Sequence, residues 1–410
     1  MAQREQYIMF ENIKDHFPVF KKKPELVFLD SAASALKPQE MIDAVSNCYS
    51  YEYANIHRGV YSLSSNLTKK FQDVRIKVSK FIGSNSQKNI IFTKGATEGI
   101  NLVVEKFSEK FLSDGDEVII SYLEHHANIV PWHLAAKKYK FKIVALNLTK
   151  KGEIDYQDFA EKINSRTKFI SLTHMSNVTG SMTDFKMIKE KIKNTQIPLM
   201  IDGCQYVAHS KLNVVDIDCD FYVFSGHKLY GPSGVGVLYM KDRWFDEFNP
   251  YQGGGDMIEK VEINNTIYAS GYNKFEAGTP PIVQVIGLGS SVDFINSLNL
   301  DKIFKYEKEL HDHTVDKLKS FNNITIYGNS PNKGSIITFN FKGIHANDLA
   351  MILDQKNIAI RTGHHCAQPL MKYLNITSSA RASFGIYNNL KDANFFIDSL
   401  SEAKKFLTLN

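Results

Sequence analysis

The chain of 410 residues is longer than one hydrophobic core usually fills, which predicts two domains and favours an enzyme over a small binding module. Apolar residues make up 43% and charged residues 23% of the sequence, as in globular proteins, and no low-complexity tract interrupts it. The net charge of +5 is dispersed along the chain, which argues against nucleic acid as a partner.

The sequence gives no sign of a membrane or secretory segment. No apolar stretch reaches the roughly 18 to 20 residues that cross a bilayer. The polar start, MAQREQYIMFENIK, lacks the apolar centre of a signal peptide. We therefore expect a cytoplasmic protein with no membrane partner.

Short apolar segments alternate with amphipathic helical patterns over residues 27–285, which predicts βαβ units on a mostly parallel sheet. Helices are predicted around residues 68–81 and 132–139. The predicted strands are, in chain order, LVFLD, NIIFT, DEVIIS, KIVALNL, TKFISLT, PLMID, DFYVFSG and GVGVLYM.

A different pattern begins near residue 286. A long helical pattern over residues 286–321 precedes the strands ITIYG and SIITFNF, the helix NDLAMILDQ, the strand IAIRTG and a terminal helix. This order predicts a smaller α+β domain. We expect a large domain at residues 1–285 and a small C-terminal domain at residues 286–410.

Several polar residues directly follow predicted strands, where open parallel sheets bind their ligands. They are Asp202 after PLMI, Ser225, His227 and Lys228 after DFYVF, Asn177 after KFISLTHMS, and Thr97 after NIIFT. Taken singly, a helix cap, an exposed turn lysine or an Asx-turn explains each of them better than a site does. Together they supply a carboxylate, an amine and an anion cradle at one edge.

That combination matches what pyridoxal 5'-phosphate requires. A buried Asp202 would keep the pyridine nitrogen protonated, and Lys228 would attach the cofactor as a Schiff base. The stretch TKGATEGIN predicts a glycine turn entering a helix, whose free N–H groups at Ala96 and Thr97 would bind the phosphate. On its own, this turn is a weak signal.

The pairs His125-His126 and His364-His365, the latter beside Cys366, leave a zinc site open as an alternative. Adjacent side chains usually diverge, however, whereas metal ligands must converge on one point. We expect no metal. Stacking of His125 on the cofactor ring, or a buried histidine satisfied by backbone groups, explains the first pair better.

The four cysteines lack paired spacing, and a chain of this size needs no disulfides. Cys48, Cys204 and Cys219 are expected to be small buried residues. Cys366 lies in IAIRTGHHCAQPL, where a glycine turn, two histidines and a proline predict an accessible thiol. Arg361 and the imidazoles would favour its thiolate, although a half-buried structural cysteine is an equal alternative at this point.

The residues also resemble a known family, the class V aminotransferase-like cysteine desulfurases of the SufS and selenocysteine lyase branch. The likeness runs from FLDSAASALKP through YANIHRGVYSLS, GATEGINLV, LEHHANIVPW, HMSNVTG, DFYVFSGHKLYGPSG, GGGDMI and KFEAGTP to RTGHHCAQPL and RASFGIYN. SGHKLYGP and RTGHHC together are highly specific. The first twenty residues carry no useful likeness.

The resemblance implies a fold-type I pyridoxal-phosphate homodimer: an α/β large domain with a mostly parallel, seven-stranded type of sheet, and a small α+β domain. It implies the catalytic residues Lys228, Cys366 and His125. The implied cofactor contacts are Lys228, Asp202, Gln205, Asn177, His125, Ala96, Thr97, Ser225, His227 and, from a second subunit, Thr279. The implied substrate contacts are Arg381 as the carboxylate clamp, Arg361, His57 and Asn177.

The resemblance further implies that L-cysteine gives L-alanine and a persulfide on Cys366. A sulfur-acceptor protein of the SufE or SufU kind would then take the sulfur toward iron-sulfur cluster assembly. Selenocysteine is the expected competing substrate. The chain departs from the family at Cys204, where alanine is usual, and at Ala96, where many relatives have threonine.

Three alternatives remain at this stage: another lyase or aminotransferase of the same fold, a non-catalytic sulfur-transfer scaffold, and the zinc site. The Cys366 loop argues against an ordinary aminotransferase. The simultaneous presence of Lys228, Asp202, His125 and Arg381 argues against a scaffold without chemistry.

Overall fold

The structure is a computed structural model and describes Phe10 and residues 12–409. The polar start discussed above falls largely outside the described residues. Within them, no helix is both long enough and apolar enough to cross a membrane.

The first strand of the chain, β1 (Val27–Phe28), lies outside the large sheet. The strands of the large sheet are β2 (Ile90–Thr93), β3 (Glu117–Ser121), β4 (Lys142–Leu146), β5 (Thr167–Thr173), β6 (Leu199–Asp202), β7 (Phe221–Ser225) and β8 (Gly236–Met240). Their spatial order is β2-β8-β7-β6-β5-β3-β4. Only β8 runs antiparallel to its neighbours in this sheet. The predicted mostly parallel, seven-stranded sheet is confirmed.

The later strands are β9 (Ile258–Glu262), β10 (Asn265–Tyr268), β11 (Ile324–Tyr327), β12 (Ile336–Phe341), β13 (Ile358–Ala359), β14 (Arg361–Gly363) and β15 (Ser379–Ser383). The strands β9 and β10 form an exposed hairpin. A second sheet has the order β11-β12-β15-β14, with antiparallel pairing throughout. Because helices accompany this sheet, the C-terminal region has the predicted α+β character.

The α-helices of the described residues are Pro18–Lys22, Gln39–Asn47, Ser62–Phe81, Ala96–Phe111, Val130–Tyr139, Tyr156–Lys162, Phe185–Ile192, Val214–Ile217, Arg243–Glu247, Ile282–Leu298, Leu300–Leu318, Ala346–Asp354, Gln368–Tyr373 and Leu390–Leu409. Short 3-10 turns include His126–Asn128 and Gly226–Lys228. The helices predicted around residues 68–81 and 132–139 are confirmed as parts of longer helices.

The placement of the first predicted strand, LVFLD, in the large sheet was wrong. Within this segment only the two-residue strand β1 forms, and it pairs in parallel with β13 of the C-terminal region. Asp30 continues this contact through a bridge to Ser383. An apolar segment of this length carries no information about its pairing partner, so the sequence pattern could not distinguish the two sheets.

The long helical pattern over residues 286–321 is also interrupted. Two helices, Ile282–Leu298 and Leu300–Leu318, meet at Asn299, whose φ of 64° lies in the left-handed region. Asparagine tolerates that conformation better than most residues, and its side chain caps the second helix through the Asp301 N–H. The first helix spans residue 285, and the division into two domains stays a prediction.

Helices cover both faces of the large sheet, so its central strands are buried on both sides. All residues of β5 except Lys168, and every residue of β6 and β7, are buried. Such strands read as continuous apolar runs, with polar residues only at their ends. The fold therefore places Asp202 and Ser225 at the carboxyl edge of a rigid sheet.

Candidate active site

A cavity of about 180 Å³ lies at the carboxyl ends of the central strands. Most of the predicted site residues line it: Ala96, Thr97, His125, Asn177, Asp202, Ser225, His227, Lys228, Arg361, Cys366 and Arg381. Residues from both the N-terminal and the C-terminal predicted domains thus meet at one cavity. The amine of residue 228, the carboxylate of residue 202 and the thiol of residue 366 share its wall.

Three predicted site residues lie outside this cavity wall. Gln205 is buried behind it and donates a hydrogen bond of 2.7 Å from Nε2 to the carbonyl of Ala32, which does line the cavity. His57 and Thr279 are exposed on the surface of the chain. The roles of these three residues stay predictions.

The start of the helix Ala96–Phe111 forms an anion cradle. The N-cap residue of this 16-residue helix is Gly95, which has no side chain to cap it, and the Ala96 N–H donates to Ser225 Oγ at 2.9 Å. A Cβ atom on Gly236 would lie only 2.5 Å from the Cα of Gly95, so this turn packs directly against β8. The cradle has the N–H groups and the helix dipole that a phosphate requires.

Asp202 ends β6 as a buried carboxylate. Its Oδ1 accepts a hydrogen bond of 3.0 Å from the Cys204 N–H, which fixes its orientation. Burial, followed by the charge of Asp202, raises the pKa of the Cys204 thiol to about 12. Cys204 is therefore a neutral thiol in the cavity wall at physiological pH and does not compete with Cys366 as a nucleophile.

The imidazole of His125 is neutral. Burial, and then the charge of Lys228, lowers its pKa to about 4. Its Nδ1 accepts a hydrogen bond of 3.1 Å from the Ala127 N–H, which places the ring proton on Nε2. This neutral imidazole lines the cavity. His227 has the same character, because burial and then Lys228 lower its pKa to about 4.

Arg381 is almost fully buried, with its guanidinium held from two sides. Its Nη1 donates to the carbonyl of Asn177 and its Nη2 to Asp30 Oδ1, both at 2.9 Å. Its Nε is buried without a partner among the described residues. Asp30 partly offsets the cost of burying this cation.

The loop that carries Cys366 is anchored to the cavity. Arg361 Nη2 lies 3.7 Å from the Cys366 sulfur, and Asn177 Nδ2 donates to the carbonyl of His365 at 2.7 Å. Cys366 is partly exposed, whereas Cys48, Cys204 and Cys219 are buried. The predicted burial of these three cysteines is confirmed, and the reactivity of Cys366 stays a prediction.

Sequence reasoning missed several residues that shape the site. Glu124, adjacent to His125, is fully buried, and burial raises its pKa to about 8. It is hydrogen-bonded to Ser121 at 2.5 Å and Asn128 at 2.7 Å. A glutamate beside a histidine pair was visible in the sequence, but its burial was not. The other missed cavity residues are Ala32, Ala33, Ala127 and His365.

The zinc alternative finds no support in the geometry. Among the residues that the structure describes, no group of three or more potential ligands converges on a point. His125 lines the cavity, whereas His126 lines a separate groove together with Gln368 and Tyr373.

The residues present fit pyridoxal phosphate. The glycine turn at the helix start suits its phosphate, buried Asp202 suits its ring nitrogen, and Lys228 supplies the amine that holds it. The buried guanidinium of Arg381 lines the same cavity and suits an anionic group there.

Over nearly its whole length, the chain is similar to known cysteine desulfurases. A cysteine desulfurase of Wigglesworthia glossinidia brevipalpis is 42% identical over 402 residues, which cover 97% of this chain and 98% of that protein. The crystal structure of the cysteine desulfurase CsdA (S-sulfonic acid) from Escherichia coli superposes with a TM-score of 0.91 at 34% identity, over 97% and 98% of the two chains. The apo cysteine desulfurase of Thermococcus onnurineus NA1 gives 0.92 at 33% identity, over 96% and 97%.

These similarities confirm the resemblance to cysteine desulfurases and the fold-type I architecture, whereas the SufS and selenocysteine lyase branch stays a prediction. The family model for class-V aminotransferases matches residues 27–396. The chain therefore belongs to the aminotransferase class-V family.

Proposed function

We propose that this chain removes sulfur from L-cysteine with pyridoxal phosphate, releases L-alanine and receives the sulfur on Cys366. The protein is a cysteine desulfurase, as are its full-length relatives. The observation that supports the residue roles is the shared cavity of Lys228, Asp202 and Cys366. An aminotransferase would have no need of a partly exposed thiol at that place.

Each group in the cavity has a proposed task. When bound, pyridoxal phosphate stabilises negative charge that develops on the substrate carbon. Arg381 orients the substrate carboxylate with its planar guanidinium, and Lys228 Nζ moves the proton at Cα. Asp202 holds the ring nitrogen, and neutral His125 supports the ring face.

The sulfur transfer balances without an external oxidant. The Cys366 thiolate attacks the substrate sulfur, an S–S bond forms and the Cβ–S bond breaks. The electron pair of the broken Cβ–S bond stays with the substrate, which takes up protons and leaves as alanine. The net change converts cysteine and one enzyme thiol into alanine and one enzyme persulfide.

The test combines a visible spectrum of the purified protein with quantified alanine. We expect a bound-cofactor band that changes on adding L-cysteine, together with alanine release. Cys366→Ala should keep the band and lose alanine production, whereas Cys219→Ala, a buried cysteine remote from the cavity, should keep both. A colourless protein, or unchanged alanine production in Cys366→Ala, would contradict the proposal.

A homodimer is also proposed. An exposed apolar segment surrounds His57, and the surfaces of monomers rarely carry such clusters. Its members are Tyr49, Tyr51, Tyr53, Val60 and Tyr61. A second copy covering it would allow the partner subunit's Thr279 to reach the phosphate, as the family resemblance implies. Light scattering should give twice the mass of one chain, and a monomer would refute this arrangement.

The persulfide requires an acceptor, which we propose to be a protein of the SufE or SufU kind that serves iron-sulfur cluster assembly in the cytoplasm. Support comes from the family and from the partial exposure of Cys366. Persulfide sulfur should move to such a protein on mixing with the loaded enzyme, and no transfer would contradict this choice of partner.

A further inference from the structure

The backbone of the loop that carries Cys366 adopts an unfavourable conformation. His365 and Cys366 have φ angles of 52° and 55°, and Gly363 has 104°. Consecutive non-glycine residues rarely occupy the left-handed region, because Cβ then crowds the following carbonyl oxygen. Such a loop requires contacts from outside to hold it in place.

One residue of the large-domain sequence supplies two of these contacts. The backbone N–H of His126 donates to the carbonyl of Cys366 at 2.7 Å. The His126 imidazole accepts the backbone N–H of Gln368 at Nε2, at 3.0 Å. The two bonds therefore hold the backbone at Cys366 itself and at Gln368, two residues further along the chain.

The second contact replaces a missing helix cap. Gln368 begins the helix Gln368–Tyr373, and its N-cap residue, Ala367, makes no side-chain capping bond. The first N–H groups of a helix need partners from outside the helix. The His126 ring provides one, so the position of this short helix depends on a side chain more than 240 residues away in the chain.

We propose that the His126 imidazole is a positioning residue that holds the Cys366 loop, and thereby the thiol, at the cofactor cavity. It does not line that cavity; its ring lies in the groove that Tyr122, His133 and Tyr373 also line. Its neighbour His125 lines the cavity and is the N-cap of the same 3-10 turn, so one turn positions both the cavity imidazole and the thiol loop.

The exposure of the cysteines provides a direct measurement. Because Cys366 is the partly exposed thiol and the other three are buried, iodoacetamide should label Cys366 selectively. His126→Leu removes the acceptor, and we expect Cys366 labelling to become about fivefold faster, the factor that one ordinary hydrogen bond contributes to an equilibrium. Single-turnover persulfide formation should fall as the anchored fraction of the loop falls, while KM for L-cysteine stays unchanged.

Two variants separate anchoring from a general disturbance. His126→Gln places an amide oxygen near the position of Nε2 and should restore the wild-type labelling rate. His133→Leu alters an exposed histidine of the same groove whose side chain does not bond to the loop, and should leave labelling unchanged. His126→Ala removes the same acceptor and decides the question if the leucine variant does not fold.

Equal labelling rates in wild type and in a folded His126→Leu or His126→Ala variant would overturn the proposal. Faster labelling in His126→Gln to the same extent would also overturn it, since the acceptor would then be irrelevant. The catalytic part of this inference rests on the proposed function. The labelling rates do not, so failure of loop anchoring and failure of Cys366 as sulfur acceptor give different results.

Discussion

The ion pair between Arg75 and Glu276 should be a main determinant of stability. Arg75 is fully buried, and its Nη1 and Nη2 donate to the two carboxylate oxygens at 2.7 and 2.8 Å. Nη1 also donates to the Ile90 carbonyl at 2.6 Å, and Glu276 Oε1 accepts the Phe92 N–H at 2.6 Å. The pair thus connects β2, which leads into the phosphate cradle, to the segment that contains Thr279.

Arg75→Met would leave Glu276 as a largely buried, unpaired carboxylate. Breaking one partner of a buried pair costs about 3–5 kcal/mol of unfolding free energy, against a total of about 5–15 kcal/mol. Glu276→Gln added to Arg75→Met removes the stranded charge and keeps an acceptor for Phe92. We expect the double variant to recover at least half of that loss.

Urea unfolding followed by tryptophan fluorescence measures these changes, because both tryptophans, Trp132 and Trp244, are buried. Lys319→Met is the matched control, since the Lys319–Asp316 pair is exposed and should contribute less than about 1 kcal/mol. A loss below about 1 kcal/mol in Arg75→Met, equal to the control, would refute the reasoning. No recovery in the double variant would show that the stranded charge is not the cause.

Two further predictions concern the site. Folding raises the pKa of Glu124 to about 8, so its stabilising contribution is complete below its unfolded pKa and is lost as pH rises through about 8. Relative to Glu124→Gln, the wild-type protein should therefore lose thermal stability between pH 5 and pH 8.5. A Tm difference between the two proteins that stays constant over this range would contradict a buried neutral acid. Glu190→Gln, which changes an exposed glutamate, is the control. Cys366→Ala should lose alanine production from cysteine but retain part of it from selenocysteine, because selenium leaves more readily; equal loss of both activities, measured as alanine, would contradict a sulfur-specific role for this thiol.

The sequence alone determined the elements whose signal is local. Strands such as PLMID and DFYVFSG are buried on both faces and end in polar residues, so Asp202 and Lys228 could be assigned to the ligand edge of a parallel sheet. The glycine turn before Ala96 and the context of Cys366 were equally local. Their motif residues carried the family resemblance.

Tertiary structure decided everything that depends on which distant segments meet. LVFLD pairs with β13 instead of the large sheet, and Asp30 thereby reaches Arg381. The burial that neutralises His125 and raises the pKa of Glu124 comes from packing around them, which no residue pattern encodes. The contact of His126 with the Cys366 loop joins positions more than 240 residues apart, and its geometry exists only once both regions are folded.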